Sequence, residues 1–276
     1  MTIRCKGELI DLSGPKVMGI LNVTPDSFFD GGKYGDEKAL LTRVEKMLGE
    51  GAAFIDVGGY SSRPGATDIS EAEEKRRVLP VITLLLKHFP GILVSIDTFR
   101  SAVAKACIES GAAMINDISA GSLDENMMAV AARYQVPYIM MHMKGTPQNM
   151  PQQAQYEDVV KEVLFYFSQK TAQARKAGIT DLIIDPGFGF AKTPEHSYTI
   201  LKRLELFKMM GLPLLVGISR KSMIYKVLET RAEEALNGTT CLHTIALLKG
   251  ANILRVHDVR EAVECIRLMR QLHQPE

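Results

Sequence analysis

Short apolar segments alternate with longer segments of helical periodicity along the whole chain. Most of the apolar segments are dense in Ile, Val, Leu and Met and lack polar alternation, which is typical of parallel strands covered on both faces. The eight predicted strands are Val17–Leu21, Phe54–Gly58, Leu93–Ile96, Met114–Asn116, Tyr138–Met141, Leu182–Ile184, Leu214–Ile218 and Ile253–Val256. The segments between them are long enough for crossover helices.

Start and stop signals delimit several of the connecting helices. Ser70–Glu73 predicts a capping box, and Gly178 and Gly211 are typical helix ends. The predicted helices run from Ser70 toward Phe89 and over Tyr156–Ala177, Glu195–Met210 and Glu261–Leu272.

Eight strand–helix units in about 250 residues match an α/β fold, the (β/α)₈ or TIM barrel. A doubly wound open sheet is the alternative, but Gly187-Phe188-Gly189 lacks the third glycine of a dinucleotide fingerprint, and no Walker motif occurs. We expect one domain over residues 1–276, with residues 1–14 covering the bottom of the barrel.

Composition excludes several classes of protein. The 276 residues are 46% hydrophobic and 24% charged with a net charge of +1, which argues against disorder, collagen, nucleic-acid binding and a polybasic membrane surface. No apolar run approaches the roughly 18 residues that span a bilayer. The first residues contain no apolar signal core, so we expect a cytoplasmic location.

Several polar and sulfur residues have simple structural interpretations. The four cysteines form no C-x-x-C pair, which argues for reduced thiols and against a zinc site. We expect Asp56 to make a buried structural hydrogen bond. Further structural expectations are core positions for Cys107, Cys241 and Cys265, helix caps at Asp117 and Asp258, and a solvated, ion-paired helix face at Glu71, Glu73, Glu74 and Lys75–Arg77.

Polar, glycine or proline residues follow nearly every predicted strand. These segments are Asn22–Ser27, Gly59–Gly65, Asp97-Thr98, Asn116-Asp117, His142, Asp185–Phe190, Ser219–Ser222 and Arg255–Asp258. In a barrel the carboxyl ends of all strands point to one face, where the active site lies. Chance would scatter polar residues over both faces, so this pattern predicts a polar ring around one cavity.

The charged residues of this ring separate into two groups. Asn22, Arg63, Arg255 and His257 suit a multiply charged anion such as diphosphate, and the Asn22 carbonyl oxygen also suits Mg²⁺. Asp97, Asn116 and Asp185 suit a flat heterocycle rich in N–H donors, with Lys221 between the two groups. The loop Thr24–Gly32 is a plausible lid, in which Phe28 or Phe29 could cover an aromatic substrate, and Phe190 could form another wall.

The chain resembles bacterial dihydropteroate synthases from about Val17 to Arg270, and five segments carry the resemblance. They are Asn22–Phe28, Ser62–Gly65, Asp185–Phe190, Ser219–Ser222 and Arg255–Asp258. The resemblance implies a single (β/α)₈ barrel, usually a homodimer. It also implies condensation of 6-hydroxymethyl-7,8-dihydropterin diphosphate with 4-aminobenzoate to give 7,8-dihydropteroate and diphosphate in folate synthesis, with sulfonamides competing for the aminobenzoate site.

The resemblance also implies roles for individual residues. The pterin residues are Asp97, Asn116, Asp185 and Lys221; the diphosphate residues are Asn22, Arg63, Arg255 and His257, with Mg²⁺ at Asn22. The 4-aminobenzoate residues are Ser62, Pro64, Phe28, Phe190 and Ser219, and the catalytic residues are Arg63, Lys221, Asp26 and Asp30. Tyr60, Ser62 and Phe29 replace the family's common Glu, Thr and Ser.

The mechanism that we expect needs no nucleophile–base pair. Diphosphate leaves first or nearly so, because a reduced pterin can stabilise a cation on its CH₂ group, and the neutral aniline then attacks. Two alternatives are a methyltetrahydrofolate methyltransferase, which has no use for the loop at Ser62–Gly65 or the anion site at Arg255–His257, and a pterin-binding paralogue without turnover, at which only Tyr60 and Phe29 hint.

Overall fold

A computed structural model describes residues 1–23, 34–62 and 68–272. Within these ranges the strands are β1 Thr2–Cys5, β2 Glu8–Asp11, β3 Lys16–Asn22, β4 Phe54–Gly58, β5 Val94–Asp97, β6 Met114–Asp117, β7 Tyr138–Met141, β8 Leu182–Asp185, β9 Leu215–Val216 and β10 Ile253–Val256. The helices are α1 Tyr34–Gly49, α2 Glu71–His88, α3 Ser101–Glu109, α4 Met127–Tyr134, α5 Val159–Lys176, α6 Pro194–Lys202, α7 Ser222–Tyr225, α8 Leu236–Leu248 and α9 Val259–Leu272. Short 3₁₀ segments lie at Met150–Gln153, Leu204–Met210 and Ala232–Glu234.

Strands β3 to β10 form one parallel sheet that curls into a barrel. The order is β8-β7-β6-β5-β4-β3-β10-β9, and the two edges meet where Ile184 forms a parallel bridge with Leu214. At this seam the Ile184 N–H also donates to the Pro213 carbonyl oxygen at 3.0 Å. The predicted (β/α)₈ barrel is confirmed, and the open-sheet alternative is wrong.

The strand predictions are accurate to about one residue, except at the seam. There β9 covers only Leu215–Val216, inside the predicted Leu214–Ile218. Leu214 bridges to β8 on one side, while Leu215 and Val216 pair with Ile253 and Leu254 of β10 on the other. The strand is short because its ladders to the two neighbours barely overlap.

Two of the predicted helices have different bounds in the structure. A side-chain cap sets the start of one, and a 3₁₀ segment follows the end of the other. Helix α5 begins at Val159, because the Asp158 carboxylate accepts the N–H groups of Val160 and Lys161 at 3.0 Å and so acts as its N-cap. The predicted helix Glu195–Met210 is two elements, α6 and a 3₁₀ segment. Its predicted end is confirmed at Gly211, whose φ of 63° lies in the left-handed region.

Side chains alternate between two environments along each barrel strand. Ile55, Leu254 and their equivalents pack against the helices, whereas Phe54 and Ile253 belong to a separate apolar cluster at the amino ends of the strands. Residues of the β1–β2 hairpin complete that cluster and cover the bottom of the barrel; they are Ile3, Cys5 and Leu12.

The start of α2 has only half of the predicted capping box. The Ser70 hydroxyl accepts the Glu73 N–H at 3.2 Å, but the Glu73 carboxylate bonds Arg76 and Arg77 instead of returning to the cap. Glu74 is fully buried, so the prediction of a solvated acid is wrong there. Glu74 precedes Val78 by four residues and Ile82 by eight, so it lies on the same inward face of α2 as these buried residues.

Buried Glu74 receives two hydrogen bonds from the end of β5. The Thr98 hydroxyl donates at 2.6 Å and the Arg100 guanidinium at 2.7 Å. Burial raises the pKa of Glu74, and both partners oppose that shift. The carboxylate therefore joins α2 to the loop after β5.

The cysteines and the helices bear on two further expectations. All four cysteines are free thiols; Cys107 and Cys265 are buried, but Cys241 is exposed on α8, so the prediction of a core position is wrong for Cys241. In the described ranges, no helix combines the length and the apolarity that crossing a membrane requires.

Candidate active site

The register of four neighbouring strands places polar residues in one row at the barrel mouth. Asn22 of β3 pairs with Gly58, Gly58 with Asp97, and Asp97 with Asn116. Asp185 ends β8, and His257 follows β10, which lies beside β3. These side chains, predicted to converge from distant parts of the chain, therefore lie at the same end of the barrel.

A partly buried ion-pair network lies at the centre of the mouth, around the fully buried carboxylate of Asp56. The Arg255 Nε donates to Asp56 Oδ2 at 2.6 Å, and its Nη2 donates to Asp97 Oδ2 at 2.6 Å. Asn116 Nδ2 donates to the same oxygen of Asp56 at 2.9 Å. The predicted separation into an anion group and a heterocycle group is therefore incomplete, because Arg255 contacts Asp97 directly.

Burial shifts the protonation of both carboxylates that we predicted to face the substrate. It raises the pKa of Asp97, which Arg255 opposes, and it raises the pKa of Asp185, which Lys221 opposes. The Asp185 Oδ1 also accepts the Gly187 N–H at 2.8 Å. Two partly compensated acids in one enclosed site are suited to accept N–H groups from a ring.

Lys221 lies over the loop that follows β8. Its ammonium donates to the Phe188 carbonyl oxygen at 2.5 Å and lies 4.7 Å from the centre of the Phe190 ring. Burial lowers the pKa of Lys221 to about 8, opposed by Asp185. Lys221 and Phe190, predicted as site residues, are thus in contact.

The turn that carries Ser219 and Lys221 is held by the residue between them. Arg220 has a φ of 53°, a left-handed conformation that costs a non-glycine residue on the order of 1–3 kcal/mol. A bidentate ion pair offsets this cost: the Arg220 Nε donates to Asp258 Oδ2 at 2.7 Å and its Nη2 donates to Asp258 Oδ1 at 2.8 Å. The Ser219 hydroxyl lies 3.2 Å from His257 Nδ1.

The interpretation of two aspartates as helix caps changes accordingly. The Asp258 carboxylate pairs with Arg220. The Asp117 carboxylate organises the turn after β6, where it accepts from the N–H groups of Ser119 and Gly121 and from the Tyr138 hydroxyl. Both residues position loops at the barrel mouth.

An apolar wall lies beside the polar network. It consists of Ile118, Met141, Met143, Met150 and Ala191, with Phe99, Leu123 and Phe190 packed against it. Met141 ends β7 at the level of Asp185, so a flat ring could lie against apolar side chains while its edge meets the acids.

A buried lysine that the sequence pattern does not predict as a site residue joins the ends of β7 and β8. Lys192 donates to the carbonyl oxygens of His142 and Phe190 at 3.2 and 3.0 Å, and lies 2.8 Å from His142 Nδ1. Burial holds the pKa values of Lys192 and His142 well below their usual ranges. No sequence signal separates Lys192 from an ordinary loop lysine.

The loop after β4 is described at its two ends. Ser62 is half-buried. The Tyr60 ring packs edge-on against Phe99 at 5.1 Å, and the Tyr60 hydroxyl accepts a hydrogen bond from Gln148 at 2.8 Å. Tyr60 therefore makes specific contacts at the position where the resemblance implies a glutamate.

Five predicted site residues lie outside the described residues. They are Asp26, Phe28, Asp30, Arg63 and Pro64, and the predicted lid Thr24–Gly32 lies there too, including Phe29.

The donors near Asn22 fit a magnesium ion that is bound mainly by substrate and water. Asn22 is partly exposed at the end of β3, and the described residues contain no group of three or more His, Cys, Asp or Glu suited to hold a metal. Mg²⁺ commonly keeps several waters and takes one or two protein oxygens plus phosphates. The single amide oxygen of Asn22, together with water and the oxygens of a phosphorylated substrate, would satisfy that requirement.

Comparison with known proteins gives consistent results. Residues 18–257 match the family of pterin binding enzymes. Dihydropteroate synthase of Escherichia coli (strain K12) is 43% identical over 271 residues, which cover 98% of this chain and 95% of that protein.

Solved structures agree over nearly the full length. Yersinia pestis dihydropteroate synthase in complex with a sulfonamide drug is 41% identical, with a TM-score of 0.91 and 99% of each chain covered. The Xanthomonas albilineans dihydropteroate synthase with 4-aminobenzoic acid is 37% identical, with a TM-score of 0.92, covering 100% of this chain and 99% of that one.

Proposed function

The chain belongs to the dihydropteroate synthases of the pterin-binding enzyme family, and from this premise we propose how its barrel mouth performs the reaction. The reaction joins 6-hydroxymethyl-7,8-dihydropterin diphosphate to 4-aminobenzoate and releases diphosphate. The observation that carries the proposal is the network of Asp97, Asn116 and Arg255 beside Asp185 and Lys221.

The pterin ring binds against the acids at the mouth. Asp97 and Asp185 accept ring N–H groups, Asn116 contributes its amide, and the Lys221 ammonium donates to a ring oxygen or nitrogen. Burial of Asn116 and Asp185, together with the apolar wall at Met141 and Phe190, supports this placement. The arrangement selects a flat ring with donors along its edge.

The diphosphate binds on the side of β3 and β10. Arg255 and His257, together with Asn22 and Arg63, stabilise the negative charge that develops on the bridging oxygen as the carbon–oxygen bond breaks. The carboxylates of Asp97 and Asp185 stabilise the positive charge that develops on the pterin ring and its CH₂ group. Arg255 lies where the two groups meet, because its guanidinium also contacts Asp97.

The aniline nitrogen of 4-aminobenzoate then attacks the CH₂ carbon. We assign this substrate to Ser62, Pro64, Phe28, Phe190 and Ser219, with Asp26 and Asp30 as catalytic residues in the predicted lid Thr24–Gly32. An attacking aniline becomes strongly acidic and loses its proton to water or diphosphate, so no strong general base is needed. The structure of the Xanthomonas relative with 4-aminobenzoic acid supports the choice of substrate class.

We assign Mg²⁺ to Asn22 and to the oxygens of the bound diphosphate. When bound there, Mg²⁺ would supply Lewis-acid stabilisation of the departing diphosphate. Asn22→Ala is expected to raise the Mg²⁺ concentration needed for half-maximal binding of pterin diphosphate, measured by calorimetry. An unchanged Mg²⁺ dependence would remove Asn22 from the metal site.

Release of diphosphate that depends on 4-aminobenzoate tests the function directly. Lys221→Ala and Arg63→Ala are each expected to lower turnover at least tenfold, about 1.4 kcal/mol. Lys161→Met, on the exposed face of α5, is the control and should leave turnover unchanged. Pterin binding without diphosphate release would indicate a paralogue without turnover.

Ring-substituted anilines of graded basicity test the order of bond breaking and bond making. If diphosphate departs first, the rate depends only weakly on aniline basicity when chemistry is rate-limiting. A steep dependence would instead indicate direct displacement.

Two further properties are proposed from the family resemblance. We expect a homodimer, which light scattering would detect as twice the 30.5 kDa mass of the chain; exposed Leu248, Leu268 and Leu272 on α8 and α9 are compatible with a covered surface. The cytoplasmic location stays a prediction from the sequence.

A further inference from the structure

One carboxylate oxygen at the centre of the mouth receives two hydrogen bonds from residues of the proposed substrate site. Asp56 Oδ2 accepts from Asn116 Nδ2 at 2.9 Å and from Arg255 Nε at 2.6 Å. Asp56 lies in the middle of β4 and is fully buried. Its position inside a strand predicts no more than a buried structural hydrogen bond.

The other oxygen of Asp56 points to a role beyond folding. In the part of the chain that the structure describes, Asp56 Oδ1 is buried without a hydrogen-bond partner. Leaving a buried acceptor unpaired costs on the order of 1–3 kcal/mol, more for a charged group. This cost reduces what Asp56 contributes to stability, whereas its Oδ2 contacts two residues of the proposed substrate site, Asn116 and Arg255.

We propose that Asp56 is a positioning residue that sets the orientation of the Asn116 amide and of the Arg255 guanidinium for the pterin substrate. The proposal rests on the proposed function, because Asn116 and Arg255 are assigned there as substrate-binding residues.

The effect on Asn116 follows from the chemistry of the two groups. An ionised carboxylate can only accept hydrogen bonds, so the NH₂ group of the amide must face Asp56. The carbonyl oxygen of Asn116 then lies on the other side of the amide and is presented as an acceptor. Asp56 thereby makes Asn116 select a ring N–H rather than a ring carbonyl.

The effect on Arg255 follows from its two partners. Its Nε is held by Asp56 and its Nη2 by Asp97, each at 2.6 Å. A guanidinium gripped at two edges loses rotational freedom before substrate arrives, so less entropy is lost on binding. If Asp97 were its only partner, the guanidinium would be held by one hydrogen bond and could rotate about it.

Asp56→Asn tests the proposal, and Ser95→Ala is the matched control. Asn keeps the shape of the side chain but no longer presents an acceptor-only group. Ser95 pairs with Asp56 in the neighbouring strand, is equally buried, and its hydroxyl has no partner among the described residues. Ser95→Ala should leave both KM values unchanged.

The expected result is a selective loss of pterin recognition. Asp56→Asn should raise the KM for pterin diphosphate at least tenfold and change the KM for 4-aminobenzoate less than twofold. A purely structural role would lower the melting temperature and the active fraction while leaving both KM values unchanged, and that result would overturn the proposal.

A double-mutant cycle with Asn116→Ala separates this inference from the proposed function. If Asp56 acts through Asn116, the double variant should have a pterin KM at least fivefold below the product of the separate effects. Full additivity would overturn the inference while leaving the proposed function intact. An unchanged pterin KM in Asn116→Ala alone would instead contradict the proposed role of Asn116.

A measurement on the unchanged protein keeps the proposal testable if Asp56→Asn does not fold. One side-chain amide proton of Asn116 should exchange with solvent slowly and resonate downfield in NMR spectra, because it is bonded to a buried carboxylate. Rapid exchange of both amide protons would overturn the proposal.

Discussion

The two ends of the barrel are built by the same strands with opposite chemistry. Near the amino ends, Phe54, Met114, Ile183 and Ile253 form an apolar layer under the β1–β2 hairpin. Two residues further along each strand, on the same inward face, lie Asp56, Asn116, Asp185 and Arg255. A step of two residues thus changes each of these four strands from apolar packing to a polar or charged side chain at the mouth.

The two layers differ in what holds them together. The lower layer buries apolar surface without directional requirements, so similar side chains can replace one another at modest cost. The upper layer buries charges whose stability depends on specific partners, such as Arg255 with Asp56 and Asp97. Substitutions should therefore separate the two layers by their effects on catalysis and on unfolding.

Arg255→Met is expected to have the largest effect on catalysis. It leaves Asp56 and Asp97 buried without their cation, which costs about 3–5 kcal/mol of unfolding free energy for a broken buried pair. We expect kcat/KM for pterin diphosphate to fall at least hundredfold, about 2.7 kcal/mol. Steady-state kinetics and urea unfolding measure both; a fall of less than tenfold would place Arg255 outside the site.

The pH dependence of kcat/KM should report Lys221. Its pKa of about 8 means that the ammonium is lost as the pH rises through 8, so the rate falls about sixteenfold between pH 8 and pH 9.5 if the charged form binds substrate. Lys221→Arg should move this limb to higher pH, because a guanidinium stays protonated. If kcat/KM falls over the same pH range in both proteins, the fall reports the titration of another group.

Lys192→Met should have a smaller effect, through the loop after β8. The variant keeps the length of the side chain but leaves the carbonyl oxygens of His142 and Phe190 without a donor. We expect the KM for 4-aminobenzoate to rise about fivefold, on the order of 1 kcal/mol. Lys161→Met on the exposed face of α5 is the control. If Lys192→Met and Lys161→Met have the same KM for 4-aminobenzoate, Lys192 has no role in positioning the loop.

Phe54→Ala should change catalysis least, although it lies two residues from Asp56. Its cavity is expected to cost about 3–5 kcal/mol of unfolding free energy. At a temperature where the variant is folded, kcat/KM should stay within twofold of the unchanged protein. A large loss of activity there would contradict the division between the two layers.

The sequence determined the fold and the end of the barrel that carries the chemistry. Eight apolar segments separated by helical periodicity predict parallel strands with crossover helices, and polar residues after each strand predict the mouth. Local signals also placed the end of the 3₁₀ segment at Gly211 and the cap at Ser70. Each of these depends on residues adjacent in the chain, whose backbone preferences act locally.

Only the tertiary structure decided which side chains are partners. Arg255 and Asp56 are 199 residues apart, and Lys192 and His142 are 50 apart. The predictions of a solvated Glu74 and a buried Cys241 are wrong because a helical pattern does not specify which face of the helix its neighbours cover. Pairing, burial and the resulting pKa shifts arise when the closed barrel brings strand ends together and removes water from between them, and no local pattern carries that information.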